Sequence, residues 1–224
     1  MRMWWQGLRL VAAALIVAAL AAQAQVTIGG AIDGGRDVAT TTVNFFSFFT
    51  VISNLLAALV LVWAGVRGLT TGRKDPLEPR ALAVALACVT TYMIVTGVVY
   101  NTLLRGIPLP QGTTVAWANE VLHVVGPVFL LLDLLFAPGR RRLAWGTIGG
   151  VLVFPLAWVV YTLVRGPLTV NPANGEEWWY PYPFVNPHNF ANGYGTVSLY
   201  IVGIAVGIAL VALFTVWVGR RRAR

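Results

Sequence analysis

Six long apolar runs separated by polar stretches set the pattern of this chain. They cover residues 5–22, 43–66, 81–104, 115–137, 143–164 and 196–218. A helix needs about 20 mostly apolar residues to cross a bilayer core. The pattern therefore predicts an all-α, polytopic membrane bundle of six transmembrane helices. The connections are short or medium, except for one long loop over 165–195. There is no internal repeat and no stretch long enough for a separate soluble unit, so residues 1–224 read as a single integral membrane domain.

The first run has two readings. Arg2, Arg9, the apolar stretch Leu10–Ala22 and the small-residue site Ala22-Gln23-Ala24 also describe a cleavable signal peptide. As a span, the run requires Arg9 to snorkel to the inner surface. The basic residues fix the orientation under either reading. With a cytoplasmic N-terminus and six alternating spans, the inside holds 13 of the 16 Lys and Arg residues, Arg224 included. The outside keeps only Arg36, Arg105 and Arg165. That bias satisfies the positive-inside rule and predicts cytoplasmic N- and C-termini in the cell membrane.

Composition agrees with the pattern. The chain is 58% hydrophobic and 11% charged, with a mean hydropathy of +0.73. Soluble domains carry about 45–50% apolar and about 25% charged residues, so a soluble enzyme is excluded. Disorder is excluded by the same apolarity. The net charge is +8, but it sits in clusters between apolar runs, which is a topology signal rather than a nucleic-acid surface. Cys88 is the sole cysteine, so no internal disulfide and no Cys-based metal site is expected. His123 and His188 are the only histidines and have no metal-ligand spacing with nearby acids. No phosphate loop and no serine elbow occurs, so neither metal nor cofactor is expected. Oligomeric state leaves no mark in the sequence.

Polar residues inside spans carry the functional signal, because the bilayer makes them costly. The second run places Asn44, Ser47, Thr50 and Asn54 three or four apart, on one helix face. The fourth places Asn119, Glu120 and His123 on one side, with Pro127 a turn later. Thr50 lies about 10 Å and His123 about 12 Å below the outer ends of their runs, at about 1.5 Å per residue. A hydroxyl and an imidazole at one level make a nucleophile–base pair if their faces meet. The plainer alternative is a set of interhelical hydrogen bonds. Asp133 is expected to pair with Arg67 or with the Arg140–Arg142 cluster. In the long loop, Trp178, Trp179, Tyr180 and Tyr182 suit a membrane interface, and the prolines suit a rigid lid.

Several of these segments, taken in order, resemble a known family. Phe48-Phe49-Thr50-Val51-Ile52-Ser53-Asn54 comes first, then Trp117-Ala118-Asn119-Glu120-Val121-Leu122-His123 continuing through Pro127 to Asp133. Trp158, Tyr161 and Trp179-Tyr180-Pro181-Tyr182-Pro183-Phe184 follow. The arrangement resembles the androgen-induced protein family of six-span membrane proteins. Glu120 stands where the animal members carry a basic or His residue.

The resemblance implies a threonine hydrolase of fatty-acid esters, with Thr50 as nucleophile and His123 as base. It also implies that the first run is retained as a span. The expected substrate is a membrane lipid, with no nucleic acid involved. Asn54, Ser53 and Asn119 are the candidate oxyanion donors. Glu120 is the candidate to orient His123, and Tyr180 and Tyr182 are candidate lid or pocket residues. A non-catalytic bundle that binds a lipid or a partner protein is the alternative.

Overall fold

The computed structural model describes residues 2–75, 77–107 and 114–223. Its main elements are α1 (Arg2–Asp33), α2 (Val38–Ser47), α3 (Phe49–Leu69) and α4 (Arg80–Val99), then α5 (Ala116–Glu120), α6 (Gly126–Phe136), α7 (Thr147–Arg165) and α8 (Tyr194–Arg222). A π turn over Tyr100–Leu104 extends α4, and another over Val121–Val125 joins α5 to α6. Six spans result among the described residues: Met3–Asp33, Phe49–Leu69, Arg80–Leu104, Ala116–Phe136, Thr147–Leu168 and Tyr194–Arg222. No strand occurs among these residues. The protein is an all-helical, multi-pass membrane protein. Arg224, counted above on the cytoplasmic side, lies outside the described residues.

Two boundaries depart from the apolar pattern. The run over 43–66 is not one helix: the chain breaks at Phe48, whose φ of −68° and ψ of 129° are extended. The fifth span, α7, starts at Thr147, and Leu143 stays outside it with its carbonyl accepting from Arg220.

The spans pack around α4, the most buried of them. Helix α1 lies along α3, with Ala13, Ile16 and Ala19 against Ala57, Ala58 and Leu61. Glycines permit that approach: a Cβ on Gly65 would sit 2.8 Å from the Leu10 side chain, and one on Gly68 would collide with Gln6. The outer flanks of α7 and α8 stay apolar and exposed, with Val153, Val160, Leu199, Val202 and Leu210 facing outward. Such surfaces suit lipid rather than water.

One end of the bundle is held by buried charge. Asp133 accepts from Trp5 Nε1 at 2.6 Å, from Arg9 Nε at 2.7 Å and from Arg140 Nη2 at 2.7 Å. Arg9 also reaches Glu78 at 3.2 Å. Arg9 is 2% exposed and Asp133 0%. Arg9 therefore does not snorkel; it is locked onto the fourth span. A buried guanidinium needs a counter-ion to offset its desolvation, and a snorkelling one does not. Arg67 binds the carbonyls of Asp75 and Leu77 instead of Asp133. The last turn of α8 returns to this end, where Arg222 donates to the Leu134 carbonyl at 2.7 Å. Both termini of the described chain thus lie at the basic end.

Candidate active site

At the opposite end, three helices are irregular at one place. The break at Phe48 puts Thr50 in the first turn of α3. In a continuous helix the Ser47 carbonyl would accept from Val51, and the Thr50 N–H would donate to Phe46. Instead the Ser47 carbonyl accepts from Trp158 Nε1 at 2.9 Å. The Thr50 N–H donates to the Tyr182 hydroxyl at 3.1 Å. Side chains more than a hundred residues away thus replace the lost helical bonds, as a broken helix at membrane depth requires.

The fourth span is loosened beside His123, which lies inside the π turn. π turns of this kind recur at functional sites. Pro127, one turn on, has no N–H for the His123 carbonyl. Asn101 Nδ2 donates to that carbonyl at 3.2 Å.

These distortions bring Thr50 and His123 together. Thr50 Oγ1 lies 3.3 Å from His123 Nε2. His123 Nδ1 faces the Asn119 carbonyl oxygen at 3.0 Å. A carbonyl only accepts, so Nδ1 carries the proton and Nε2 presents its lone pair to Thr50. Tyr100 stacks on the imidazole at 3.9 Å between ring centres, and its hydroxyl accepts from Asn119 Nδ2. The ring is therefore held from its face and from its edge.

Tyr182 completes the cluster. Its hydroxyl lies 3.1 Å from Thr50 Oγ1 while it accepts the Thr50 N–H. Phe48 and Trp158 pack against its ring, and Phe184 stacks on it. Burial pushes the Tyr182 phenol above its ordinary pKa, although the contacts with Thr50 pull the other way. It stays protonated and keeps an O–H to donate.

The other expected site residues fall around this centre in different roles. Ser53 Oγ donates to the Thr50 carbonyl at 3.1 Å, and Asn54 Nδ2 donates to the same carbonyl at 3.0 Å. Polar side chains three and four residues on in a helix bond backwards in this way, so neither points at the Thr50 hydroxyl. Asn54 also donates to the Leu122 carbonyl at 3.1 Å, tying α3 to the π turn. The amide of Asn119 is engaged with Tyr100, and its backbone carbonyl orients His123. Glu120 does not orient His123; it forms a two-pronged pair with Arg105 at 2.8 and 3.0 Å. Spacing alone put Glu120 beside the ring, but an exposed arginine offers it the stronger partner. Tyr180 stays clear of Thr50. It pairs with Tyr194 at 2.9 Å and rests on Gly166, where any Cβ would collide with its ring. It anchors the loop that carries Tyr182.

Sequence reasoning passed over Tyr100 and Trp158 as site residues, and over the hydroxyl role of Tyr182. Their signals were aromatic residues toward the outer ends of spans and in the outer loop, which an interface belt explains equally well, and the place of Trp158 and Tyr182 in the family resemblance, which gives no role to either hydrogen-bonding group. Among the described residues, no group of three His, Cys, Asp or Glu could hold a metal ion. Comparison with protein-family models, with curated proteins and with solved structures finds no match to this chain.

Two cavities meet at Thr50 and Tyr182. A cleft of about 90 Å³ between α4, α7 and α8 is lined by Val95, Leu152, Pro155, Ile201, Ile204 and Ile208. A vestibule of about 350 Å³ opens on the other side, past Gln23, Arg36, Asn44, Arg105 and His123. The hydroxyl thus stands between an apolar space and a larger one of mixed lining.

Proposed function

We propose that this chain is a hydrolase of fatty-acyl esters in the cell membrane, with Thr50 as nucleophile and His123 as general base. The observation that carries the reading is the Thr50 Oγ1–His123 Nε2 contact at 3.3 Å, made where an apolar cleft meets a vestibule of mixed lining. That distance lies just beyond catalytic hydrogen-bond reach, as is common before substrate binds. The resemblance to the androgen-induced protein family supports the same two roles and membership of that family. The positive-inside bias supports a cytoplasmic basic end, which turns the site toward the outer leaflet.

The chemistry follows from the contacts. His123 Nε2 takes the Thr50 proton as Oγ1 bonds to the ester carbonyl carbon. The carbonyl oxygen becomes an oxyanion beside the first turn of α3, where backbone N–H groups and the positive helix end point. The Tyr182 hydroxyl, polarised by the Thr50 N–H, donates to that oxyanion. The ester C–O bond then breaks, and the alcohol leaves with the proton from His123. Water, deprotonated by His123, attacks the acyl-threonine. The fatty acid leaves and Thr50 regains its proton.

The test is fatty-acid release by purified protein in detergent, wild type against Thr50→Ala and His123→Ala. Each substitution is expected to lower kcat by about 10⁴-fold or more, as removal of a covalent nucleophile or its base does. Thr50→Ala also loses labelling by a serine-hydrolase-type covalent probe. Unchanged release or full labelling in a folded Thr50→Ala protein ends the assignment.

A further inference from the structure

The hydrolase reading leaves the alcohol half of the ester open, and the two cavities differ enough to assign it. We propose that the substrate is a single-chain acyl ester whose leaving alcohol carries a phosphate, a monoacyl glycerophospholipid. The acyl chain takes the cleft and the phosphate meets Arg36 in the vestibule. This inference rests on the hydrolase reading.

The cleft suits the acyl side of the ester at its carbonyl end. Apart from the hydroxyls of Thr50, Thr96, Tyr100 and Tyr182 and the indole N–H of Trp158, its lining is apolar. Ile201, Ile204, Ala205 and Ile208 form one stripe of α8 along it, covering about 10 Å at about 1.5 Å per residue. At about 90 Å³ it is slender, well below the ~300 Å³ at which ordinary ligand pockets begin.

The vestibule is wider and of mixed lining, with more polar side chains than the cleft. Polar side chains reach it from separate elements: Gln23 and Thr27 from α1, Thr41 and Asn44 from α2, and Asn171 from the long loop. Gln23 donates to Thr27 and Thr41 to the Asp37 carbonyl, whereas Asn44 and Asn171 use their amide oxygens, on Arg165 and the Ala173 N–H, and keep their amide N–H groups to donate. No Asp or Glu lines it among the described residues. Arg105 brings its own counter-ion, Glu120. Arg36 forms no ion pair among the described residues, and its neighbour Asp37 is turned to Thr40 at 2.6 Å. One guanidinium without a carboxylate partner, in a vestibule that also holds the amides of Asn44 and Asn171, matches a tetrahedral group with several acceptor oxygens. A neutral leaving alcohol would leave that guanidinium without a counter-ion, and a phosphate offers it more acceptor oxygens than a carboxylate does.

The experiment compares kcat/KM for fatty-acid release from three esters of one acyl chain, using the full chain in detergent. They are lysophosphatidic acid, the neutral monoacylglycerol and the ester of a long-chain hydroxy acid. The phosphate ester is expected to lead the neutral one by about tenfold or more, the worth of one charged hydrogen bond. Arg36→Gln is expected to bring that ratio close to one, and Arg36→Lys to restore part of it. Comparable rates on the phosphate and neutral esters overturn the inference and leave the hydrolase standing. So does a lead for the hydroxy-acid ester, or a ratio indifferent to Arg36→Gln. Should Arg36→Gln fail to fold, the wild-type ratio decides alone. No release from any ester by folded protein removes the hydrolase reading, and this inference with it.

Discussion

The two ends of the bundle bury polar groups by opposite means. At the basic end Arg9, Glu78, Asp133 and Arg140 pair charge with charge. The helices that carry Arg9 and Asp133 stay regular there. At the other end the central contacts are neutral: a hydroxyl, an imidazole, a phenol and backbone carbonyls. There the helices give way, through a break at Phe48 and π turns over Tyr100–Leu104 and Val121–Val125. Charge pairs fasten helices that need no further shaping. A reactive hydroxyl needs a cavity and backbone donors, and a regular helix supplies neither.

The sharpest way to break this contrast is to unbalance the charged end. Asp133→Asn keeps the shape but leaves Arg9 and Arg140 facing only Glu78. Removing one partner of a buried ion pair costs about 3–5 kcal/mol. Thermal unfolding in detergent is expected to show that loss, while fatty-acid release per folded molecule stays near wild type. An unchanged Tm would mean that this network does not staple the bundle.

Tyr182→Phe probes the other end. The ring packing against Phe48, Trp158 and Phe184 remains, and only the hydroxyl goes. Loss of one oxyanion donor lowers kcat by about 10²–10³-fold. KM is expected to move little, because the donor acts in the transition state. A change confined to KM would make Tyr182 a wall of the pocket and not a donor.

These two ends were unequally legible in the sequence. The six spans were, because apolar length is a local property. The common depth of Thr50 and His123 was also legible, because helical rise converts position into distance. The break at Phe48 was not. Ser47-Phe48-Phe49 contains neither Gly nor Pro, and what stabilises the break comes from Trp158 and Tyr182, over a hundred residues on. For the same reason the sequence does not reveal the partner of Arg9: Asp133 lies 124 positions away. Periodicity gives the face on which a side chain sits, and not the group that meets it. The Glu120 expectation failed at that step.

The smallest effects separate backbone repair from ordinary polar contact. Pro155 inside α7 leaves the Val151 carbonyl without a helical donor. Tyr92 supplies one through its hydroxyl at 2.8 Å. Interhelical hydrogen bonds in membranes average only about 0.6 kcal/mol, because a freed group usually finds another partner. The Val151 carbonyl has none within its own helix, so Tyr92→Phe is expected to cost more, about 1–2 kcal/mol. Tyr161 provides the control. Its hydroxyl meets Ser47 Oγ at 2.8 Å, but Ser47 already donates to the Val43 carbonyl at 2.7 Å. Tyr161→Phe leaves that bond intact, so its cost should stay at or below about 0.6 kcal/mol. Unfolding of the two variants side by side gives the comparison. If Tyr161→Phe costs as much as Tyr92→Phe, proline-freed carbonyls have no special need, and the same account of the Phe48 break and of His123 fails with it.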